Sequence, residues 1–281
     1  MIGIIGGSGL EDPKLLSDAK EVVIESKYGV HSPIVTGKIN GVDVAIMSRH
    51  GYKHEFTPCT IPYRANINAL KEIGVHAIIA TSACGSLREE IIPASFSFPT
   101  QFIDRTTKRE QSFSDHGNVI HESMAQPFDE NLRNILTQKC AELGFEYSAD
   151  TTIVTIEGPR FSTLAESELF RSQHCDLINM TTVPEVCLAK EKHIPYQVIN
   201  LVTDYDCWHE TEEIVSVSTI IANLNKNSEN AKKIIKAAVK EISSERKCEC
   251  ASALANAIIT DRNIISQQAK NKLNIIAGKY L

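Results

Sequence analysis

Short apolar segments alternate with amphipathic ones up to residue 203, and this pattern predicts an α/β fold. Strands are expected at 2–5, 34–39, 42–48, 76–81 and 196–203, and helices at 63–73, 129–143 and 184–192. Asn40-Gly41 separates two of these strands. Because both residues tolerate a positive φ, the pair predicts a two-residue hairpin.

The last third of the chain has a different character. Residues 212–242 and 251–278 are rich in Ala, Ile, Lys and Asn at helical spacing, with no clear further strand. They are predicted to be extra C-terminal helices, forming either an outer layer or a lid. No repeat or linker divides the chain, so residues 1–281 are expected to form a single domain.

Composition narrows the class of protein. Hydrophobic residues make up 42% and charged residues 23%, with a net charge of −6, so the chain lacks the basic character of nucleic-acid-binding proteins. No apolar run approaches a membrane span, and no signal peptide precedes the first strand. The eight cysteines have no regular spacing, so a cytoplasmic protein with reduced thiols is expected.

An apolar strand leads directly into two acidic residues, Asp204 and Asp206. If the strand continues through them, both carboxylates lie on one face, roughly 7 Å apart. They would then repel each other, and at least one pKa should rise, which suits a general acid near neutral pH. The alternative for such a pair is a solvated acidic turn.

Three strand ends offer donors for an anion. Ser8 lies in a glycine-rich turn, Arg49 and His50 follow the second hairpin strand, and Ser82 and Ala83 follow strand 76–81. Arg provides paired, permanently charged donors, and His50 is expected to add another. Each motif alone also fits an ordinary turn or a surface position. Because ligands of open α/β sheets gather at strand ends, the three together favour an anion site.

Two further junctions lead into helices. Phe161 offers an aromatic face for a flat ring, Met180 could pack beneath a sugar, and Thr181 could bind the anion. Core packing and helix capping are the structural alternatives for these residues.

Seven segments between residues 2 and about 217 resemble the methylthioadenosine-cleaving members of the trimeric purine nucleoside phosphorylase family: IGIIGGSGL, SRHG, ALKEIGVHAIIATSACGSLREEI, QFIDRTT, VTIEGPRFSTLAES, INMTTVPEV and VTDYDCW. The resemblance implies a mixed central sheet flanked by helices. It also implies phosphorolysis of 5′-methylthioadenosine to adenine and 5-methylthioribose 1-phosphate, a reaction of methionine and purine salvage. Inorganic phosphate would be the co-substrate, with no metal or organic cofactor, in a homotrimer.

By position, the resemblance assigns phosphate binding to Ser8, Arg49, His50, Ser82, Ala83 and Thr181. It assigns the nucleoside to Met180, Phe161, Ser162, Asp204, Asp206 and Val217, with His121 from a neighbouring subunit. Asp204 and Asp206 would be the catalytic carboxylates. The chain departs from the family at Ala94-Ser95, where Gly-Asp is usual, and at Thr100, where Asp is usual. Local turn geometry is expected to change there, more than the reaction.

The paired acids agree with a 6-aminopurine substrate. A protonated Asp204 can donate to N7, and a carboxylate oxygen can accept from the 6-amino group. Three alternatives stay open: a phosphorylase of 6-oxopurine nucleosides, a hydrolytic nucleosidase, and a non-catalytic nucleoside-binding protein.

Overall fold

The computed structural model describes residues 1–7, 10, 15–114, 119–209, 217–242, 257–261 and 263–271. Strands and helices alternate through most of this part of the chain. The strands are β1 (Ile2–Gly6), β2 (Ser17–Val22), β3 (Ile34–Ile39), β4 (Val42–Ser48), β5 (Ala77–Ser86), β6 (Phe96–Arg105), β7 (Tyr147–Ile156), β8 (Leu177–Asn179) and β9 (Tyr196–Asp204). The helices are α1 (Tyr63–Glu72), α2 (Glu130–Glu142), α3 (Leu164–Ser172), α4 (Thr182–Glu191) and α5 (Val217–Ala238).

The predicted mixed sheet flanked by helices is confirmed. Its strand order is β2-β3-β4-β1-β5-β8-β7-β6-β9, and an additional pairing of β5 with β9 closes the last five strands into a ring. β1 runs parallel to β4 and β5, and β5 runs parallel to β9. The carboxyl ends of these central strands therefore meet at one edge of the sheet.

The helices form two layers because each buries one apolar face on the sheet. One core cluster combines sheet residues with Ile67 and Leu70 of α1 and Val186 of α4. A second cluster on the other face contains Leu132 of α2 and Ile234 of α5. α5 is thus part of an outer layer, which is one of the two arrangements expected for the C-terminal helices.

Local sequence signals explain several boundaries. Ile39 pairs with Val42 across the predicted hairpin, with φ values of 52° at Asn40 and 83° at Gly41. The carboxylate of Asp129 accepts a hydrogen bond from the backbone N–H of Leu132 and so caps α2.

Four strands were not predicted: β2, β6, β7 and β8. The helix expected after Phe161 and Ser162 is present as α3, although its bounds were not predicted. β2 is almost wholly exposed, so it lacks an alternating apolar pattern, and β8 has only three residues. The register between β6 and β7 shifts on both sides of Pro99. α3 begins at a capping box formed by Thr163 and Glu166, a signal that is visible in the sequence.

The C-terminal prediction is tested only in part. α5 confirms a helix within 212–242, whereas half of 251–278 lies outside the described residues and, in the other half, residues 267–271 are helical. Ile120 and Ile258 form an isolated antiparallel bridge, a strand-like contact that the sequence did not suggest. The single domain over 1–281 stays a prediction. In the described part of the chain, no helix is long and apolar enough to cross a membrane.

Candidate active site

A cavity of about 310 Å³ lies where the carboxyl ends of the central strands meet. Its lining includes most of the residues that the sequence singled out: Arg49, His50, Ser82, Ala83, Phe161, Ser162, Met180, Thr181, Asp204 and Asp206. Ser8 lies outside the described residues, and so does the side chain of Val217, the first residue of α5. His121 is exposed and does not line the cavity of its own chain.

The lining divides by chemistry into two parts. We call the part rich in hydrogen-bond donors the basic end, formed by Gly7, Arg49, His50, Ser82 and Thr181. We call the other part the acidic end, formed by Phe161, Ser162, Asp204 and Asp206.

Arg49 is wholly buried at the basic end and is held by Glu185 of α4. Its Nε and Nη2 donate to the two carboxylate oxygens of Glu185, each at 2.7 Å, and Nη1 donates to the carbonyl of Thr81 at 2.7 Å. The Tyr196 hydroxyl donates to the same carboxylate at 2.8 Å. Burial by itself disfavours the charge, but the Glu185 carboxylate holds the pKa of Arg49 above its ordinary value. The pair is neutral overall, so an anion here meets oriented donors rather than a net positive charge.

His50 is held in one tautomer. Its Nδ1 lies 2.8 Å from the carbonyl oxygen of Phe56, which can only accept, so Nδ1 carries the hydrogen. Burial lowers the pKa of His50 to about 4 against the effect of this hydrogen bond, which favours the charged ring. The ring stacks on His54, with centroids 4.4 Å apart. At neutral pH, Nε2 is therefore an acceptor, whereas the sequence led us to expect a donor.

A chain of hydroxyl and amide groups completes the basic end. The Asn179 side chain donates to Ser82 Oγ at 3.0 Å, and its own carbonyl oxygen accepts from Thr155. Ser82 Oγ also lies 3.0 Å from Thr181 Oγ1. Because Asn179 supplies a donor to Ser82, the Ser82 hydroxyl can direct its own proton to Thr181 or to a ligand.

The acidic end differs from its predicted geometry. β9 ends at Asp204, and Asp206 lies in the following turn with a φ of 53°. The two acids are therefore not successive inward residues of one strand. Instead, the backbone N–H of Asp206 donates to Asp204 Oδ1 at 2.8 Å, and Ser162 Oγ lies 2.8 and 2.7 Å from the two carboxylate oxygens of Asp206. The turn supplies a donor between the carboxylates, which offsets the repulsion expected from their charges.

Trp208 anchors this turn. Its indole donates to the carbonyl of Ser86 at 2.8 Å, and its ring packs in a small core cluster with Phe170 and Ile178. The guanidinium of Arg171 lies 3.5 Å from the ring centroid. The acidic turn is thereby tied to β5 and α3.

Several lining residues were not predicted. Thr203 and Asn179 sit directly before Asp204 and Met180, so their proximity to predicted residues was the available signal. Ile220 and Leu224 come from α5, which therefore forms a wall of the cavity as well as an outer layer. The sequence places Glu185 in the first turn of the helix predicted at 184–192, and its pairing with Arg49 needed the fold. Within the described residues, no three His, Cys, Asp or Glu side chains converge on a possible metal site.

Comparison with known proteins defines the class. A model described as the phosphorylase superfamily matches residues 1–240. The S-methyl-5'-thioadenosine phosphorylase of Geobacter sulfurreducens is 45% identical over 100% of this chain and 99% of that protein. The one from Xenopus tropicalis is 48% identical over 86% of this chain and 88% of that protein.

Solved structures agree. A methylthioadenosine phosphorylase from an antarctic soil metagenomic library is 43% identical over 98% of each chain, with a TM-score of 0.92. The methylthioadenosine phosphorylase from Schistosoma mansoni in complex with adenine is 36% identical, covers 87% of this chain and 92% of that one, and has a TM-score of 0.83. The chain belongs to the phosphorylase superfamily, and the relatives it resembles over its length are S-methyl-5'-thioadenosine phosphorylases.

Proposed function

We propose that this protein is a pentosyltransferase that cleaves 5′-methylthioadenosine with inorganic phosphate, giving adenine and 5-methylthioribose 1-phosphate. The observation that supports the proposal most strongly is that one cavity joins a donor-rich end to an end with two carboxylates. The relatives that carry the name of this activity match 86% to 100% of the chain.

The two ends suit the two charges of the reaction. As the glycosidic bond breaks, negative charge develops on the base and positive charge on the ribose. Asp204 donates a proton to N7, and phosphate held by Arg49, Ser82 and Thr181 faces the ribose cation. These residues supply the acid and the anion site, so we propose that neither a metal nor an organic cofactor takes part.

Each remaining part of the substrate has a residue to meet it. The exposed ring of Phe161 provides a face for adenine, and Met180 packs against the ribose. Asp206, oriented by Ser162, accepts from the 6-amino group. A 6-oxopurine has an acceptor at that position and would leave the carboxylate without a donor, which disfavours inosine and guanosine.

The test is adenine release from methylthioadenosine, measured with and without phosphate, with inosine as a second substrate. We expect release that depends on phosphate and a much lower kcat/KM for inosine. Release independent of phosphate would identify a hydrolase, equal kcat/KM values would identify a broader phosphorylase, and binding without turnover would identify a binding protein.

We also propose a cytoplasmic homotrimer in which His121 reaches the cavity of a neighbouring subunit. The exposure of His121 outside its own cavity and the free thiols of the six described cysteines support this arrangement. Light scattering should give the mass of three chains. Mixed trimers of His121→Ala and Asp204→Asn should bind methylthioadenosine and turn it over better than either variant alone, and no such recovery would contradict the shared site.

A further inference from the structure

The hydroxyl of Thr203 lies between the acidic end and the backbone of β5. Its Oγ1 is 2.6 Å from Asp204 Oδ2 and 3.1 Å from the carbonyl oxygen of Cys84. Thr203 is buried, with 2% of its surface exposed. A hydroxyl has one proton, so it donates to only one of these two acceptors at a time.

The charge of Asp204 decides which acceptor receives the proton. A carboxylate is a stronger acceptor than a peptide carbonyl, so an ionised Asp204 draws the Thr203 hydroxyl to Oδ2. A protonated carboxyl is the weaker acceptor, and the hydroxyl then turns to the carbonyl of Cys84. The backbone N–H of Asp206 donates to Oδ1 and holds the carboxyl in place while this exchange occurs.

The surrounding backbone leaves room for the contacts of Thr203 with Asp204 and with the carbonyl of Cys84. The register between β5 and β9 shifts between Cys84 and Gly85, next to the carbonyl that Thr203 contacts. A Cβ atom at Gly85 would lie 3.0 Å from Asp204 Oδ1, so a side chain there would crowd the acid. From α5, the Asn223 side chain donates to the carbonyl of Thr203 at 2.7 Å and fixes the residue that carries the hydroxyl.

We propose that Thr203 is a positioning residue whose hydroxyl moves from the Cys84 carbonyl to Asp204 Oδ2 as Asp204 releases its proton to the leaving base. The inference rests on the proposed function. The glycosidic C–N bond breaks with its electrons on the base, N7 takes the proton of Asp204, and a phosphate oxygen forms the new C–O bond. Thr203 keeps its own proton throughout. Because the stronger hydrogen bond forms only as the carboxylate appears, it lowers the barrier rather than strengthening substrate binding.

The test compares Thr203→Val, which keeps the shape without the hydroxyl, with Thr203→Ser, which keeps the hydroxyl. We expect Thr203→Val to lower kcat about tenfold with little change in KM. A hydrogen bond to a charged group is more stabilising than one to a neutral group, and the difference in free energy corresponds to about a tenfold change in rate. The base limb of its kcat–pH profile should move up by about one pH unit, because the carboxylate has lost a donor. Thr203→Ser should restore both properties.

Few other groups could produce the high-pH limb of the kcat–pH profile. Burial raises the pKa of the Cys84 thiol well above its ordinary value, so this thiol does not titrate near neutral pH. Asp206 is the neighbouring carboxylate, and Arg49, His50 and His54 line the far part of the cavity. If the limb reports Asp206, Ser162→Ala will move it and Thr203→Val will not, which would overturn the proposal.

Two further results would also overturn it: a wild-type kcat and pH profile in Thr203→Val, or equal impairment of Thr203→Val and Thr203→Ser, which would indicate a role in packing. Thr203→Ala, which removes the hydroxyl without filling its space, replaces Thr203→Val if the latter does not fold. The wild-type assay for phosphate-dependent adenine release comes first. Its failure would reject the proposed function, whereas a failure confined to the variants would reject only the role of Thr203.

Discussion

The two ends of the cavity are built in opposite ways. At the basic end Arg49 and Glu185 are 0% and 1% exposed and pair through two hydrogen bonds. At the acidic end Phe161 is 67% exposed, and Asp206, although only 9% exposed, comes from a turn rather than a strand. The basic end is thus held by a fully buried ion pair, whereas the acidic end combines a buried carboxylate on a turn with an exposed aromatic ring.

Because of this difference, we expect substitutions at the two ends to affect folding stability and catalysis to different degrees. A buried ion pair that loses one partner leaves a charge without compensation, so changes at the basic end should affect folding as much as activity. At the acidic end the carboxylates are held by hydrogen bonds from Ser162, Thr203 and the backbone of Asp206, so replacing a carboxylate should affect the reaction with less cost to folding than loss of the buried ion pair. Two variants and a change of pH test this contrast, and a third variant, in a turn outside both ends, provides a comparison.

Asp204→Asn should have the largest effect on rate. Without the acid, kcat for methylthioadenosine should fall about 10²- to 10⁴-fold, because proton transfer to the leaving base is lost. Asp206, which faces the 6-position, is unchanged, so the preference for methylthioadenosine over inosine should persist although both rates fall. Steady-state kinetics with both nucleosides measure these changes. A rise in KM with unchanged kcat would contradict the role of Asp204 as an acid.

Glu185→Gln should break the basic end. Loss of the Glu185 carboxylate charge leaves Arg49 buried and charged beside a neutral amide. The free energy of unfolding should therefore fall by about 3 kcal/mol. Phosphate neutralises that charge when it binds, so it should raise the Tm of this variant more than that of the wild type.

Urea and thermal unfolding with and without phosphate measure both effects. Asp176→Asn is a matched control, because Asp176 pairs with the half-buried Arg88 and neither residue lines the cavity. It should lose stability without gaining a larger response to phosphate. An equal response to phosphate in the wild type and Glu185→Gln would contradict the compensation of Arg49 by Glu185.

Lower pH should destabilise the basic end through His50. In the unfolded chain this histidine binds a proton below its ordinary pKa of 6.5, whereas in the folded chain burial lowers the pKa to about 4. The unfolded state therefore binds more protons between these values. The stability from the neutral ring is fully present above pH 6.5 and falls by about 1.4 kcal/mol per pH unit down to pH 4.

Urea unfolding of the wild type and His50→Gln at pH 7 and pH 5 isolates this contribution. The variant should lose less stability than the wild type over that interval. Equal losses would show that His50 is not held neutral.

Ala94→Gly should have the smallest effect and a stabilising one. Ala94 has a φ of 66°, and its N–H donates to the carbonyl of Val202 at 2.8 Å, so the turn keeps a left-handed residue where the family usually has glycine. Alanine is strained in that region, and glycine should raise the free energy of unfolding by about 1 kcal/mol. Kinetic constants should not change. A destabilised variant would show that the conformational freedom glycine adds to the unfolded chain outweighs the strain.

The sequence by itself determined the elements whose signals are local. The hairpin at Asn40-Gly41 follows from two adjacent residues that accept positive φ, and α2 from its cap at Asp129. The apolar run of β9 before Asp204 also needed no distant contact to be recognised. The rule that ligands gather at strand ends was enough to predict that Arg49 and Ser82 contribute to one anion site.

Only the tertiary structure decided what those residues can do. Glu185 lies 136 positions from Arg49 along the chain, so no local pattern reveals that it compensates the charge. The tautomer of His50 depends on the carbonyl of Phe56. The position of Asp206 depends on the turn that follows the end of β9 at Asp204. Charge state and hydrogen-bond direction are properties of the packed environment, because burial and partners set them, and these are assembled from distant parts of the chain.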